Sequence, residues 1–131
     1  MSGWEAYVSS FISISPAVKR AAIITLEAGI WAKTGGPREF KATTAELKKL
    51  ISDFDRPAEV LANGVNLENV HYIIPSADES LIFGKRGKMG FFAAKTKTVV
   101  LIIIYEGDYE ESSIVRKGIE KVSRYLVSID Y

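Results

Sequence analysis

The most regular apolar pattern of the sequence lies near its end, where apolar residues recur at steps of four, three, four and three positions: Val115, Ile119, Val122, Leu126 and Ile129. Residues three and four positions apart lie on the same side of an α-helix. Tyr125 lies on the flank of this stripe. The pattern predicts a long amphipathic helix that covers a core with one narrow face.

Capping signals predict two further helices. Thr43 and Glu46 have the spacing of a capping box, in which a hydroxyl and a glutamate satisfy free backbone N–H groups. Apolar residues then follow at helical intervals: Leu47, Leu50, Ile51 and Phe54. Ser2 and Glu5 repeat the capping spacing at the start of the chain, which predicts a first helix over about residues 3–11.

Short apolar runs between turn residues predict the strands of the protein: residues 21–26, 30–32, 70–74, 81–83, 91–94 and 99–105. Consecutive strands that are joined by short turns form antiparallel meanders. The predicted fold class is therefore α+β, with a central antiparallel sheet whose faces are covered by the helices.

Proline and glycine positions predict where these elements end. We expect Pro57 to lie just past the second helix, Asn63-Gly64 to form a turn, and Pro75 to end a strand. Residues 84–90 predict a glycine-rich basic loop, and residues 106–111 predict an acidic loop. The resulting order is helix, two strands, helix, a run of strands, helix.

Length and composition add limits on the kind of protein. The 131 residues, with an apolar content of 47%, predict one domain over residues 1–131 with its own core. The net charge of +1 gives no broad attraction to nucleic acid or membranes. The longest apolar run, residues 99–104, is too short to span a membrane, and no signal-peptide pattern precedes it, so we expect a cytosolic protein.

Little in the sequence supports catalysis. The chain has no cysteine, which removes disulfides, thiolate nucleophiles and thiolate metal ligands. His71 is the single histidine, and neither a catalytic triad nor a metal-ligand spacing accompanies it. A lone histidine beside a strand is more often a packed or surface residue than a ligand. We therefore expect no enzyme activity, no cofactor and no metal site.

Aromatic residues mark both ends of the chain. Trp4 and Tyr7 lie in the first predicted helix, and Tyr125 and Tyr131 lie in or after the last one. If the two helices lie side by side, these residues can share one surface. A shallow aromatic surface with donor groups suits a polyproline II strand, which is stiff and exposes free carbonyl groups. The competing interpretation is that these rings seal the core between the helices and the sheet.

Five segments, in this order along the whole chain, carry a family resemblance: Ser-Gly-Trp-Glu-Ala-Tyr-Val at 2–8, Ala-Ala-Ile-Ile at 21–24 with Trp31 after its turn, Val-His-Tyr at 70–72, Gly-Lys-Arg-Gly at 84–87, and 125–131. Together they resemble the profilins. The resemblance implies a central antiparallel sheet with the terminal helices packed together on one face. It also implies a monomeric cytoskeletal protein that binds actin monomers, proline-rich segments and phosphoinositides.

The resemblance also implies three sets of site residues. The set expected to bind polyproline is Trp4, Tyr7, Trp31, Tyr125 and Tyr131. The set expected to contact actin is His71, Ile73, Lys85, Ser113, Arg116, Lys117 and Lys121. The set expected to bind phosphoinositide is Lys85, Arg86 and Lys88.

The sequence departs from the family pattern near the expected actin surface. Glu110 and Glu111 stand where many members have small residues or glycine, and Lys121 stands where some have glutamate. His71 replaces a lysine, and a histidine is mostly neutral at pH 7. These changes predict a divergent actin partner or weaker actin binding.

Two other functions remain open at this point. The first is a small ligand-binding or sensory domain with a similar sheet and an apolar pocket. The second is a scaffold that keeps the proline-binding groove without binding actin. For the basic residues of 84–90, the competing interpretation is a solvated hairpin loop.

Overall fold

The structure is a computed structural model that describes residues 3–131. In chain order its elements are α1 (Trp4–Ile14), β1 (Val18–Thr25), β2 (Ile30–Lys33), a 3-10 helix (Gly36–Arg38), α2 (Thr44–Asp53), α3 (Pro57–Asn63), β3 (Val65–Leu67), β4 (Val70–Ala77), β5 (Leu81–Arg86), β6 (Met89–Lys95), β7 (Val99–Glu106) and α4 (Tyr109–Ser128). Ser2, the predicted cap of the first helix, lies outside the described residues. Helix α1 follows Gly3, which makes no side-chain cap.

The seven strands form one antiparallel sheet in the order β2-β1-β7-β6-β5-β4-β3. Successive side chains of a strand point to opposite faces, so the central strand β7 contributes to two cores. Ile102 packs with the cluster under α2 and α3, whereas Ile103 packs with the cluster under α1 and α4. The predicted α+β fold, with the first and last helices together on one face, is confirmed.

Helix α2 begins as its capping box predicts. Thr43 Oγ1 accepts a hydrogen bond from the Glu46 N–H at 3.1 Å, and Glu46 accepts one from the Thr43 N–H at 2.9 Å. The same carboxylate also accepts the backbone N–H groups of Glu68 and Asn69, at 3.0 and 2.8 Å. Both of these residues form the β3–β4 turn with positive φ, 53° and 61°. Glu46 therefore stabilises a turn whose backbone is unfavourable for a residue such as glutamate.

Helix α4 confirms the predicted amphipathic pattern, except at its end. Val115, Ile119 and Leu126 are buried against the sheet. Ile129 was expected in the same apolar stripe, but 43% of it is exposed, because the helix ends at Ser128. Neither α4 nor any other helix within residues 3–131 is long and apolar enough to cross a membrane.

The acidic segment 106–111 is the end of a strand and the start of a helix, so the predicted loop is wrong. Glu106 ends β7, and Glu110 and Glu111 lie in the first turn of α4. The side chain of Asp108 caps the helix by accepting the Glu110 N–H at 3.0 Å. Acidic residues stabilise this end of a helix because its free N–H groups carry a partial positive charge.

Two predicted breaks lie at the end of an element or within one. Pro57 does lie just past α2, which ends at Asp53, and it also begins α3, a helix that the sequence pattern missed. The first turn of a helix accepts proline because it does not need the proline N–H group. Asn63-Gly64 ends that helix and leads into β3, which was also missed. Pro75 lies inside β4, where the pairing with β5 shifts between Ile73 and Ser76. Such an irregularity accommodates the missing proline donor.

The predicted basic loop over 84–90 is also wrong, since β5 runs to Arg86 and β6 starts at Met89. Two glycines in these strands each face an aromatic ring on the paired strand. A Cβ atom on Gly84 would overlap the Phe91 ring, and one on Gly90 would overlap the Tyr105 ring. These glycines therefore allow close packing within the sheet and do not mark a flexible loop.

Candidate binding surfaces

Four aromatic residues from three parts of the chain form a contiguous surface, which we call the aromatic cluster: Trp4, Tyr7, Trp31 and Tyr131. Trp4 is at its centre. Its ring centroid lies 4.9 Å from that of Trp31, 5.6 Å from that of Tyr7, and 5.3 Å from that of Tyr131 in an edge-to-face arrangement. Offset and edge-to-face pairs at these distances are favourable beyond the area they bury.

The fold brings the aromatic cluster together at one end of the α1/α4 face. Trp4 is the first residue of α1, and Tyr7 follows one turn later on the same side. Trp31 lies on the edge strand β2 and is 42% exposed. Tyr131 returns toward the sheet after α4, with its N–H donating to the Leu126 carbonyl at 2.8 Å.

A shallow cavity of about 180 Å³ opens beside the cluster; its lining consists of Gly3, Trp4, Tyr7, Leu126, Ile129 and Tyr131. Leu126 is buried, as the sequence pattern predicts, and also lines this cavity, whereas Ile129 was assigned to the core and was missed as a surface residue of the site. Ile129 is the last residue of the apolar stripe, and this terminal position is the sequence signal that could have identified it. An apolar floor between aromatic walls is the shape that a proline ring can fill.

Tyr125 lies apart from the other four residues that were expected to bind polyproline. It is 53% exposed on α4, and within residues 3–131 its ring makes none of the ring contacts that join the aromatic cluster. Tyr125 also lies outside the lining of the cavity.

A second surface lies on the same face of the sheet, toward β4, β5 and the start of α4. A cavity of about 290 Å³ is lined here by Phe83, Lys85, Phe92, Tyr109, Ser112, Ser113 and Arg116. Ile73 pairs directly with Lys85 across β4 and β5, so the two side chains lie on the same face. Ile73 is 65% exposed. We call Ile73, Lys85, Ser113 and Arg116 the basic face.

Aromatic packing supports the basic face from below. The Phe83 and Phe92 rings stack at 4.7 Å, and the Phe92 and Tyr105 rings stack at 5.7 Å. The Tyr105 hydroxyl donates to Ser112 Oγ at 2.9 Å, and burial raises the pKa of this phenol. Lys85 Nζ lies 5.8 Å from the centroid of the Tyr105 ring, within range of a cation–π contact.

The remaining residues expected to contact actin lie outside this cavity. His71 is exposed on β4, and its Nδ1 lies 2.7 Å from Asn66 Oδ1. Lys117 and Lys121 are exposed one turn apart on α4. Within residues 3–131, no group of three or more histidine and acidic side chains could hold a metal ion.

The three basic residues of 84–90 do not form one cluster. Lys85 and Arg86 are neighbours in β5, so their side chains lie on opposite faces of the sheet. An Arg86 Nη1–H donates to the His71 carbonyl at 3.3 Å. Lys88 lies in the β5–β6 turn, where its carbonyl accepts the Gly107 N–H at 2.9 Å.

The acidic segment also folds beside Lys88. The side chains of Asp108 and Glu111 share a hydrogen bond, which raises the pKa of Glu111 and lowers the pKa of Asp108. The positive charge of Lys88 also lowers the pKa of Asp108. Negative charge at the start of α4 therefore offsets part of the positive potential of this turn.

Comparison with known proteins gives one consistent result. The family model named Profilin matches residues 2–131. Profilin-2 and Profilin-1 of Caenorhabditis elegans are 45% and 43% identical to the chain, and each alignment covers all of both proteins. The structure of Acanthamoeba castellanii profilin IA has a TM-score of 0.85 and 30% identity, covering 98% of this chain and 99% of that one. The chain therefore belongs to the profilin family, whose role is to bind actin and polyproline segments.

Proposed function

We propose that this protein binds actin monomers and proline-rich segments through two separate surfaces, and that it regulates actin polymerisation in this way. The observation that carries the proposal is the aromatic cluster, in which four rings from three distant segments meet at the protein surface. Family membership supports the same function. Mouse profilin IIa, solved in complex with a double repeat from the FH1 domain of mDia1, shares the fold with a TM-score of 0.76 at 18% identity.

We assign proline-rich segments to the aromatic cluster and Tyr125. A polyproline II strand loses little conformational entropy on binding, because it is already stiff. Proline rings pack against aromatic faces, while indole and phenol groups donate to the carbonyl groups that the strand leaves free. The exposed side chains of Trp31 and Tyr125 supply such donors at the protein surface.

Intrinsic fluorescence tests the groove, because Trp4 and Trp31 are the only tryptophans and both belong to the cluster. Titration with a ten-residue proline peptide should change the tryptophan emission and saturate. A glycine-serine peptide of equal length is the control. An unchanged spectrum at millimolar proline peptide, with the protein folded, would remove the groove assignment.

We assign actin binding to the basic face together with His71, Lys117 and Lys121. An exposed isoleucine beside cationic and hydroxyl groups is suited to a partner surface that is partly apolar and partly acidic. LokiProfilin2 was solved in complex with rabbit actin and shares this fold with a TM-score of 0.74 at 15% identity. A similarity at 15% identity concerns the fold alone. The assignment of actin binding to this surface therefore depends on the residues of this chain.

Suppression of spontaneous nucleation tests actin binding. Pyrene-labelled actin monomers should polymerise after a longer lag in the presence of the protein. An unchanged lag, together with normal proline-peptide binding, would favour the alternative function of a proline-binding scaffold. A protein that binds neither ligand would instead favour a small ligand-binding domain built on the same sheet.

Phosphoinositide binding is the third part of the proposal and involves Lys85, Arg86 and Lys88. Each basic residue near an anionic surface contributes about 1 kcal/mol. Because Lys85 and Arg86 lie on opposite faces of β5, the three residues do not act as one cluster, and we expect weak, salt-sensitive binding. Lys85 also lines the basic face, so lipid and actin should compete. Co-sedimentation with phosphoinositide vesicles at low and physiological salt tests this. Binding that survives neutralisation of all three residues would exclude them as the lipid site.

The remaining parts of the proposal concern the type of protein. We infer a monomeric, non-enzymatic binding protein of one domain, located in the cytoplasm with the actin cytoskeleton. Family membership supports this inference. Size-exclusion chromatography with light scattering tests the monomer, and imaging of a tagged protein with labelled filaments tests the location.

A further inference from the structure

The turn between β6 and β7 holds the segment that follows α4. Three donors converge on one backbone oxygen of Tyr131. Thr96 Oγ1 lies 2.6 Å from it, the Thr98 N–H donates to it at 2.8 Å, and Thr98 Oγ1 lies 3.1 Å from it. Two threonines on a tight turn between strands thus determine where the last residue of the aromatic cluster lies.

The threonines are themselves held in place by the turn. Thr96 is 6% exposed, and its hydroxyl also accepts the Val99 N–H at 3.2 Å. A third contact, between Lys97 Nζ and Asp130 Oδ1 at 2.7 Å, joins two exposed side chains. An exposed ion pair contributes little to stability, so the main restraint from this turn comes from the three donors to the Tyr131 oxygen, two of which are threonine hydroxyls.

The restraint matters because Tyr131 follows the end of the helix. Residues beyond a helix end are usually mobile unless something fixes them. Here the Tyr131 ring is fixed edge-to-face on Trp4, at the wall of the cavity. A ring that is already ordered does not lose conformational entropy when a ligand packs against it.

We propose that Thr96 and Thr98 are positioning residues for the proline-binding groove, which they serve by ordering Tyr131 without contacting the peptide. The inference rests on the proposed function of the aromatic cluster. It predicts that removal of one buried hydroxyl, on Thr96, and one exposed hydroxyl, on Thr98, weakens peptide binding selectively although both lie outside the groove.

Paired substitutions test the inference. Thr96→Val with Thr98→Val removes both hydroxyls at nearly constant shape, whereas Thr96→Ser with Thr98→Ser keeps them. The valine pair should bind a ten-residue proline peptide about three- to tenfold more weakly, as expected for one side chain that must be ordered on binding. The serine pair should bind as the wild type does, and both pairs should retain the wild-type affinity for actin monomers.

A double-mutant cycle separates positioning from general destabilisation. In a Tyr131→Ala background the ring is absent, so the valine pair should cause no additional loss of peptide affinity. An undiminished loss in that background would overturn the inference, as would wild-type peptide affinity in the valine pair itself.

A measurement on the free protein keeps the inference distinct from the proposed function. The NMR resonance of the Trp4 indole N–H reports the neighbouring Tyr131 ring; Trp31→Phe identifies it. The valine pair should shift this resonance toward its position in Tyr131→Ala. If the resonance stays at the wild-type position, the threonines do not order the ring. If the shift occurs but the wild type binds no proline peptide, the positioning is correct and the proposed function of the groove is wrong.

Discussion

The aromatic cluster and the basic face lie on the same side of one sheet but are built differently. In the aromatic cluster, Trp4 contacts three other rings, so each binding residue is also a packing residue. In the basic face, the residues expected to bind a partner are exposed or half-buried, and the packing lies one layer below, in Phe92 and Tyr105. Substitutions in the first surface should therefore change binding and stability together, whereas surface substitutions in the second should change binding alone.

Removal of the central ring should have the largest effect. Trp4→Ala eliminates three ring contacts and should weaken proline-peptide binding by roughly 2 kcal/mol or more, the range of an interface hot spot. It should also lower the free energy of unfolding. Tyr125→Ala is the matched control, because this ring makes none of those contacts and should cost less in both measurements. Calorimetric titration measures the peptide affinity, and urea unfolding measures the free energy of unfolding. Equal losses in the two variants would contradict the prediction that Trp4 contributes more than Tyr125.

The layer below the basic face can be tested through Gly90. In Gly90→Ala the new Cβ would overlap the Tyr105 ring, whose hydroxyl bonds to Ser112 at the start of α4. Overpacking of this kind costs about 1–3 kcal/mol of stability. We expect weaker actin binding with little change in peptide binding, measured by nucleation assays and peptide titration after stability is determined.

Gly84→Ala is the counterpart of that variant on the other face. The Cβ would overlap Phe91 in the core under α2 and α3, so stability should fall while the basic face is spared. Equal losses of actin affinity in the two glycine variants, compared at equal folded fraction, would show that the packing below the basic face has no special role.

Charge reversal on α4 should separate the two surfaces with a smaller effect. Lys117 is exposed near Ser113 and Arg116, so Lys117→Glu should weaken actin binding by about 1 kcal/mol or more, since it replaces an attraction with a repulsion. Lys48→Glu, an exposed change on α2, controls for net charge. Peptide affinity should stay the same in both variants. A parallel fall of actin and peptide affinity without unfolding would contradict the model of two separate surfaces.

The smallest effect concerns pH and stability near the basic face. Asp78 accepts the N–H groups of Ser80 and Leu81, at 2.7 and 2.8 Å, and these bonds lower the pKa of its carboxyl group. A lowered pKa in the folded state gives stability that is present above the unfolded pKa and is lost as the pH falls through the folded pKa. Asp78→Asn should therefore lower the free energy of unfolding slightly near pH 7, because solvent screens this exposed carboxylate, and the difference should shrink as the pH falls below about 4.

Urea unfolding of the wild type and Asp78→Asn between pH 7 and pH 3 measures this difference. If the difference in the free energy of unfolding between the two proteins stays constant over this pH range, the hydrogen-bonded carboxylate of Asp78 does not contribute to stability as predicted. Actin and peptide binding at pH 7 should be unchanged, because Asp78 lies in the turn between β4 and β5 and lines neither cavity.

Local signals explain which parts of the fold could be predicted. The capping box before α2 and the apolar stripe of α4 involve residues within a few positions of one another, and both predictions are confirmed. Gly84 was wrongly placed in a loop, because its role depends on the Phe91 ring of the neighbouring strand. A sequence pattern does not show such contacts between distant residues.

The same distinction applies to the candidate sites. Trp4, Trp31 and Tyr131 could be proposed because their residue types and family positions are visible in the sequence, and the structure places their rings in contact. The separation of Lys85 from Arg86 could not be foreseen while 84–90 was predicted to be a loop, since a loop does not impose the alternation of a strand. Their assignment to a lipid site stays a prediction.

Glu46 has a consequence for local opening of the molecule. Its carboxylate joins the start of α2 to two amides of the β3–β4 turn, which lie twenty-two and twenty-three residues further along the chain. Unravelling the first turn of α2 would thus expose the amides of Glu68 and Asn69 at the same time. The β3–β4 hairpin, which carries His71, is in this way tied to a helix on the opposite side of the sheet from the basic face. Hydrogen exchange at these amides should report one shared opening event, not two independent ones.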